Sequence, residues 1–313
     1  MERVLVVTGA AGKRSGGAFA ELLSANLSDV LLKYPGGIRL ILRPGADVTE
    51  LRRLLPNADL RFGDMTDPDF MVSALSGSDT VLHIAGIQLS KTLADAAIRC
   101  CVRRLILVHT TGIYSKYKAA GEGYRQIDEY VTSSCRDAGI SLSILRPTMI
   151  YGNTSDRNVI TFIRMVDRLP LMPVVRGARY ALQPVHYRDL SHAYLRVLLQ
   201  EETTSGRNYV LSGAEPILLR DMLSCIGGEL GKRRVRFLSV PFWFAYSGAV
   251  CLWAVSFGKK DLREKVQRLC EPRAYPHREA SEDFGFDPVA FPDGVSEEIA
   301  QYLNEKNSSR CHG

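Results

Sequence analysis

Histidine pairs at helical spacing are missing from this sequence, and with them the simplest helical metal site; the six histidines are scattered. No G-x-S-x-G is present, so a serine nucleophile elbow is excluded. No Lys/Arg block, zinc-finger spacing, aromatic-basic interleaving or RNA-binding signature points to nucleic acid. No secretion signal is read ahead of the first strand. Seven cysteines, odd in number and scattered, argue against a disulfide framework and fit a reducing cytosol. Cys100 and Cys101 fall in an apolar helical pattern and are expected to be buried thiols. There is no repeat and no low-complexity tract. What remains is an ordinary globular composition, 46% hydrophobic and 24% charged, long enough at 313 residues for one large α/β domain or a main domain with a smaller cap. The net charge of +6 is mild and favours anionic ligands such as phosphates.

One stretch resists this reading. Residues 240–258 carry no charge and are flanked by Lys232, Arg233 and Arg234 before and Lys259 and Lys260 after. A spanning helix needs about 20 apolar residues, so the length is borderline. The first expectation is a buried or dimer-forming helix of the cap, the second a helix on a membrane surface, the third a span.

Residues 4–8 are a continuous apolar run ending in glycine, the pattern of a central parallel strand. Helices are expected over 19–32, 48–55, 69–75, 93–103 and 124–136. They alternate with strands over 38–42, 60–62, 80–84, 105–108 and 141–145. That alternation predicts an α/β fold, a Rossmann-type doubly wound parallel sheet. Beyond Pro147 prolines punctuate the pattern, with helices expected over 159–169, 190–199 and 218–230. The division is therefore 1–150 for a dinucleotide-binding domain and 151–313 for a smaller C-terminal α/β substrate-binding cap, with the chain crossing back to the main domain. The end from Asn307 is expected to fray.

The first strand runs into Thr8-Gly9-Ala10-Ala11-Gly12-Lys13-Arg14-Ser15-Gly16-Gly17 and then a helix. A tight turn needs glycine at Gly9, and close approach of amides to a pyrophosphate needs it at Gly12. The helix N-terminus supplies oriented donors. The third glycine position is either Ser15 in strict register or Gly16 after an insertion. At the end of the second strand stands Arg43, where an acid would suit the ribose hydroxyl of NAD. An arginine suits the 2′-phosphate of NADP, and Lys13 and Arg14 point the same way. NADP(H) is thus favoured over NAD(H), unless all three are only solvated surface charges.

These residues resemble the extended short-chain dehydrogenase/reductase superfamily, and within it NAD(P)-dependent epimerases and dehydratases of nucleotide sugars. The resemblance covers nearly the whole chain. Gly9, Gly12 and the Ser15/Gly16 position resemble its TGxxGxxG loop. Asp64 and Met65 resemble its adenine-side segment. His83-Ile84-Ala85-Gly86 resembles its HxAA stretch, of which Ala85 and Gly86 would lie under the nicotinamide ribose. Arg146-Pro147 with Ile150-Tyr151-Gly152-Asn153 resembles RPxxVYGP, with Pro147 on the cofactor side and Asn153 on the substrate side. Pro184-Val185-His186 with Asp189, and Phe284-Gly285-Phe286 with Pro288 and Phe291, resemble later signatures. His83 has a structural reading as well, since the family does not use it for chemistry.

The chemistry implied by the resemblance needs a hydroxyl, a tyrosine and a lysine four residues later on one helix face. In 108–114 Thr110 takes the hydroxyl position, with Thr111 beside it. The family register puts Gly121 at the tyrosine position and Arg125 at the lysine position, so YxxxK is lost. Tyr114 with Lys118 forms a literal YxxxK on the preceding loop, and Tyr124 stands on the right helix but another face; either could move the proton, or neither. Arg157, Arg164, Arg176, Arg179 and Arg188 are candidates to clamp a diphosphate, Arg157 foremost. Gln183 and His186 stand where the family lines its substrate cleft. The expectations are an NAD(P)-dependent epimerase, dehydratase or reductase of a nucleotide sugar, cytoplasmic and in one variant membrane-associated with a polyprenyl-linked sugar, possible as a homodimer. The alternative is a dinucleotide-binding sensor or assembly factor without catalysis.

Overall fold

The computed structural model describes residues 2–117, 119, 121–232, 234–257, 259 and 261–311. The first half alternates β1 (Leu5–Thr8), α1 (Gly16–Ala25), α2 (Leu27–Lys33), β2 (Ile38–Leu42), α3 (Thr49–Leu54), β3 (Asp59–Phe62), α4 (Pro68–Leu75), β4 (Thr80–His83), α5 (Ser90–Arg99), β5 (Arg104–Val108), α6 (Gly121–Asp137) and β6 (Ser141–Pro147). There follow β7 (Ile150–Tyr151), α7 (Val159–Arg168), β8 (Met172–Val175), β9 (Ala181–Leu182), β10 (Val185–His186), α8 (Tyr187–Leu199), α9 (Glu201–Thr204), β11 (Asn208–Leu211), β12 (Ile217–Leu218) and α10 (Leu219–Glu229). The last elements are β13 (Phe237–Val240), α11 (Phe242–Val255), α12 (Arg263–Leu269), α13 (Arg278–Phe284) and α14 (Phe291–Cys311).

The main sheet has seven strands in the order β11-β6-β5-β4-β1-β2-β3, all parallel. Every residue of β1 is buried, because helices cover both faces and leave no polar side to alternate with. Leu5 and Val7 face α1 and α8 through Phe19 and Tyr194, while Val6 faces α4, α5 and α6 through Met71, Leu93 and Val131. Strand order reverses between β1 and β4, where Thr8 stands beside His83. The carboxyl ends at such a reversal are where ligands of this fold class bind. The seventh strand arrives late: β11 pairs with β6 only after the chain has made half of the cap. A separate core under the cap joins Ile163 of α7, Met222 of α10 and Ile299 of α14.

Four expectations are corrected. The helix over 19–32 is two helices, because Asn26 leaves helical geometry and its amide donates to the Leu22 carbonyl. Cys100 is half-buried at the end of α5, its thiol donating to the Val72 carbonyl, and Cys101 is exposed in a left-handed turn with φ of 54°. The stretch 240–258, whose last residue lies outside the described ones, is not buried: in α11 only Ala249 is. No described helix is long and apolar enough to cross a membrane. Finally, α14 continues past Asn307 to Cys311.

Candidate functional site

The glycine turn is fixed by atoms a side chain would strike. Gly9 has φ of +82°, and a Cβ there would lie 2.8 Å from the Ala85 nitrogen. Gly12 donates to the Gly9 carbonyl at 2.9 Å, and Gly17 to the Gly12 carbonyl at 2.8 Å. A Cβ on Gly16 would stand 2.0 Å from the Gly9 oxygen. The third glycine is therefore Gly16, and the loop is one residue longer than strict register. Ser15 is buried with its hydroxyl 3.3 Å from that of Tyr194, while its carbonyl accepts from Ser191. The serine thus anchors the loop to α8, and its hydroxyl points away from the open side. The first-turn amides of α1 have no acceptors inside the helix, and no acid stands in that turn to repel an anion.

The three cations divide. Arg43 is exposed at the end of β2. Lys13 faces the same loop: the Asp47 carboxyl is held below its ordinary value first by the Thr49 amide and, in smaller part, by Lys13. Arg14 turns the other way and lines a cavity of 290 Å³ beyond the ends of β5 and β6. Asp64 is exposed and accepts from the Thr66 amide, while Met65 is buried in the core. Gly86, with φ of +130°, offers its carbonyl to His83. A carbonyl only accepts, so His83 carries its proton on Nε2 and accepts from Thr8 at Nδ1. Burial depresses its pKa to about 4. His83 is a neutral strap between β1, β4 and the Gly86 turn.

At the end of β5 the structure brings the two threonines to the cavity wall. Thr110 accepts from the Gly112 amide at 3.0 Å, which leaves its own O–H to donate. Thr111 spends its proton on the Pro147 carbonyl. Beneath them lies a network the sequence reading missed. His109 is buried, with Nδ1 2.7 Å from Asp128 and Nε2 3.0 Å from Ser90, and Arg146 holds the other Asp128 oxygen at 2.7 Å. Burial lowers the His109 pKa against the pull of Asp128. The neutral ring donates to Asp128 and accepts from Ser90, tying β5 to α6 and to the start of α5.

Neither of the two expected phenols lines the cavity. Gly121 opens α6 under the 112–115 turn, and Arg125 donates to the Ile113 carbonyl and to Glu122. Tyr124 is half-buried on α6, accepts from the Gln88 amide at 3.0 Å, and does not line the cavity. Lys118 lies outside the described residues. Tyr114 is 47% exposed, its ring tilted against Tyr275 at 5.4 Å. It is Tyr275 that lines the cavity with Thr110 and Thr111. Its amide donates to Gln183, and burial, then Glu271, pushes its phenol up. No motif marks Tyr275, which comes from a connection far along the chain.

The opposite wall is cationic. Arg157, Arg268 and Arg273 join Arg14 around the cavity, with Asp156 as the acid among its lining residues. The Nε atoms of Arg268 and Arg273 are buried without partners. Burial and then the neighbouring Arg268 depress the Arg273 pKa to about 10. Arg268 also pairs with Glu264 at 3.7 Å, one turn earlier on α12. Arg164, Arg176, Arg179 and Arg188 do not line it. Gln183 lines it but uses its amide on the Gly213 carbonyl and the Tyr275 amide. Asn153 donates to the Arg14 carbonyl, joining the cap to the glycine turn. His186 is buried against Tyr151 and Tyr187, off the cavity.

Sheet, switch point and glycine turn together define a Rossmann-type α/β protein. No known family profile matches the chain. In sequence it is similar to a 2-alkyl-3-oxoalkanoate reductase of Stenotrophomonas maltophilia, 24% identical over 276 residues, which is 74% of this chain and 83% of the relative. In structure it is similar to a dTDP-glucose 4,6-dehydratase from Streptomyces venezuelae solved with NAD (TM-score 0.70, 19% identity, 97% of this chain and 98% of that one). It is also similar to an NADPH-dependent quinone oxidoreductase from Escherichia coli (TM-score 0.69, 14% identity, 96% and 99%). At these identities the likeness is one of fold.

Proposed function

We propose that the protein is an NADP(H)-dependent oxidoreductase or epimerase of the extended short-chain dehydrogenase/reductase type, acting on an anionic substrate in the 290 Å³ cavity. The observation that carries this is a hydroxyl, a phenol and four arginines, Arg14, Arg157, Arg268 and Arg273, lining one space beyond the switch point. The pyrophosphate of the dinucleotide fits the Gly9–Gly16 turn, whose tight backbone packing admits no side chain at Gly9 or Gly16 and precedes the amino end of α1. Lys13 and Arg43 stand on the side of the adenosine ribose and favour a 2′-phosphate. The nicotinamide supplies or accepts the hydride when bound.

The chain does the rest. Thr110 donates a hydrogen bond to the substrate oxygen and holds it in place. Tyr275, whose raised pKa keeps it protonated, gives that oxygen its proton in the reductive direction and is left as a phenolate that solvent reprotonates; in the oxidative direction it is the phenolate that takes the proton. Arg268 and Arg273 hold the anionic group and so set the distance of the reacting carbon from Thr110. The substrate read first is a nucleoside-diphosphate sugar, as in the dehydratase named above, with the diphosphate on the arginines. A 3-oxo acid is the second reading, because a carboxylate close to a carbonyl meets the same arginines and threonine. The test is turnover of NADPH or NADP⁺ against panels of both substrate classes, repeated with Thr110→Ala and Tyr275→Phe. Dinucleotide binding with no turnover of either panel would favour the sensor.

A further inference from the structure

The cleft leaves one large surface of the molecule unused. Helix α11 has fourteen residues and no charge. Phe242, Ala245, Tyr246 and Ala249 recur at helical spacing and turn toward the body of the cap. Around the rest of the circumference Trp243, Phe244, Val250, Leu252, Trp253 and Val255 are exposed. Phe257 beyond the helix is 93% exposed and Trp243 68%. Trp243, Phe244 and Phe257 alone present roughly 400 Å² of aromatic surface to solvent, at the two ends of the helix, with the exposed Val250, Leu252, Trp253 and Val255 between them.

The charge around the helix selects what covers it. Between Lys232 and Arg268 the sequence holds nine Lys/Arg against two Asp/Glu, a net of +7, while the whole chain carries +6. Arg234, Arg236, Lys259 and Lys265 are exposed. The Arg263 guanidinium lies 4.4 Å over the Trp253 ring, so charge and aromatic surface are presented together. A second copy placed on this face would bring the same positive charge against itself, and like charges across an interface oppose it. An anionic bilayer offers apolar depth for the aromatic side chains and opposite charge for their flanks. The helix spans about 21 Å, short of the roughly 30 Å of a hydrocarbon core, so it lies in the interface instead of crossing.

We propose that α11 and its cationic flanks dock the protein on the surface of an anionic membrane. Helix α12 packs on α11 and carries Arg268 into the cavity. Docking therefore places the anion-binding wall one helix away from the lipid. The proposal does not depend on the activity assigned above.

The test uses the purified full chain and flotation with vesicles of phosphatidylcholine, alone or mixed with phosphatidylglycerol. We expect binding at least about tenfold tighter to the anionic vesicles and weakened on raising salt toward ~1 M. A Trp243→Ser, Phe244→Ser, Phe257→Ser variant, checked for an unchanged melting temperature by circular dichroism, should lose that binding. Failure to bind either vesicle, or equal binding to both, overturns the proposal. So does a dimer in sedimentation that the same variant dissolves without any vesicle binding, since the face would then belong to a second copy.

Discussion

The two sides of the cleft are built on opposite principles. At the amino-terminal side, position is set by what is missing from the side chains: Gly9, Gly12 and Gly16 let backbone meet backbone, with 2.0 Å between a hypothetical Gly16 Cβ and the Gly9 oxygen. At the cap side, position is set by long side chains, Arg157, Arg268, Arg273 and Tyr275, reaching in from separate connections. The first arrangement tolerates no substitution but is local in sequence. The second tolerates change at each position and is local only in space.

That contrast can be broken or sharpened by experiment. Tyr275→Phe should lower kcat by about 10³-fold, as expected for loss of a general acid, with substrate affinity nearly unchanged in calorimetry. An equal loss in Tyr124→Phe, with Tyr275→Phe active, would return the proton to α6. Gly16→Ala should weaken dinucleotide binding about 100-fold, since overpacking of ~3 kcal/mol has nowhere to relax against backbone; a fluorescence titration reads it directly. Arg273→Ala should raise KM for the anionic substrate about 30-fold by removing charge-assisted hydrogen bonds, and Arg273→Lys should restore only part of it. Arg43→Ala with Lys13→Ala should cut the preference for NADPH over NADH by about tenfold, with the same method and no effect on melting temperature.

The smallest effect concerns the floor of the cap side. Glu298 is fully buried and accepts from the Gly152 amide, and burial, then Asp156, pushes its carboxyl well above the usual carboxylate range. The folded state holds this proton and the unfolded state releases it near its ordinary value. Its contribution to stability is therefore complete at low pH and is lost as pH rises through that interval. Glu298→Gln keeps an acceptor for the Gly152 amide and removes the titrating group. It should come closest to the wild type below about pH 4 and exceed it increasingly as pH rises, read as the pH dependence of the melting temperature.

How much of this was legible in the sequence follows the same divide. The parallel sheet could be read because β1 and its neighbours are uninterrupted apolar runs separated by helices, a pattern of short range. The glycine turn could be read because strand, turn and helix are contiguous. Its register could not: whether Ser15 or Gly16 is the third position depends on Tyr194 and Ser191, which lie on α8. Thr110 was legible from the strand end that carries it. Tyr275, Arg268 and Arg273 carry no local signal, because their neighbours in the site are supplied by folding. The buried His109–Asp128–Arg146 network was missed for the same reason, being spread over β5, α6 and β6. The helix α11 was expected to be buried or to form a dimer; within the chain only Ala249 is buried, because an uncharged apolar run does not by itself say what covers it.

The late arrival of β11 at the edge of the main sheet has a consequence for synthesis. The strand that covers β6 leaves the ribosome after residue 211, and α8, which braces the glycine turn through Ser15, only slightly earlier. A nascent chain stopped at the end of β6 owns every glycine of the turn and still lacks its support. The turn is therefore braced only after two thirds of the polypeptide has been translated, although its own residues are among the first pieces made.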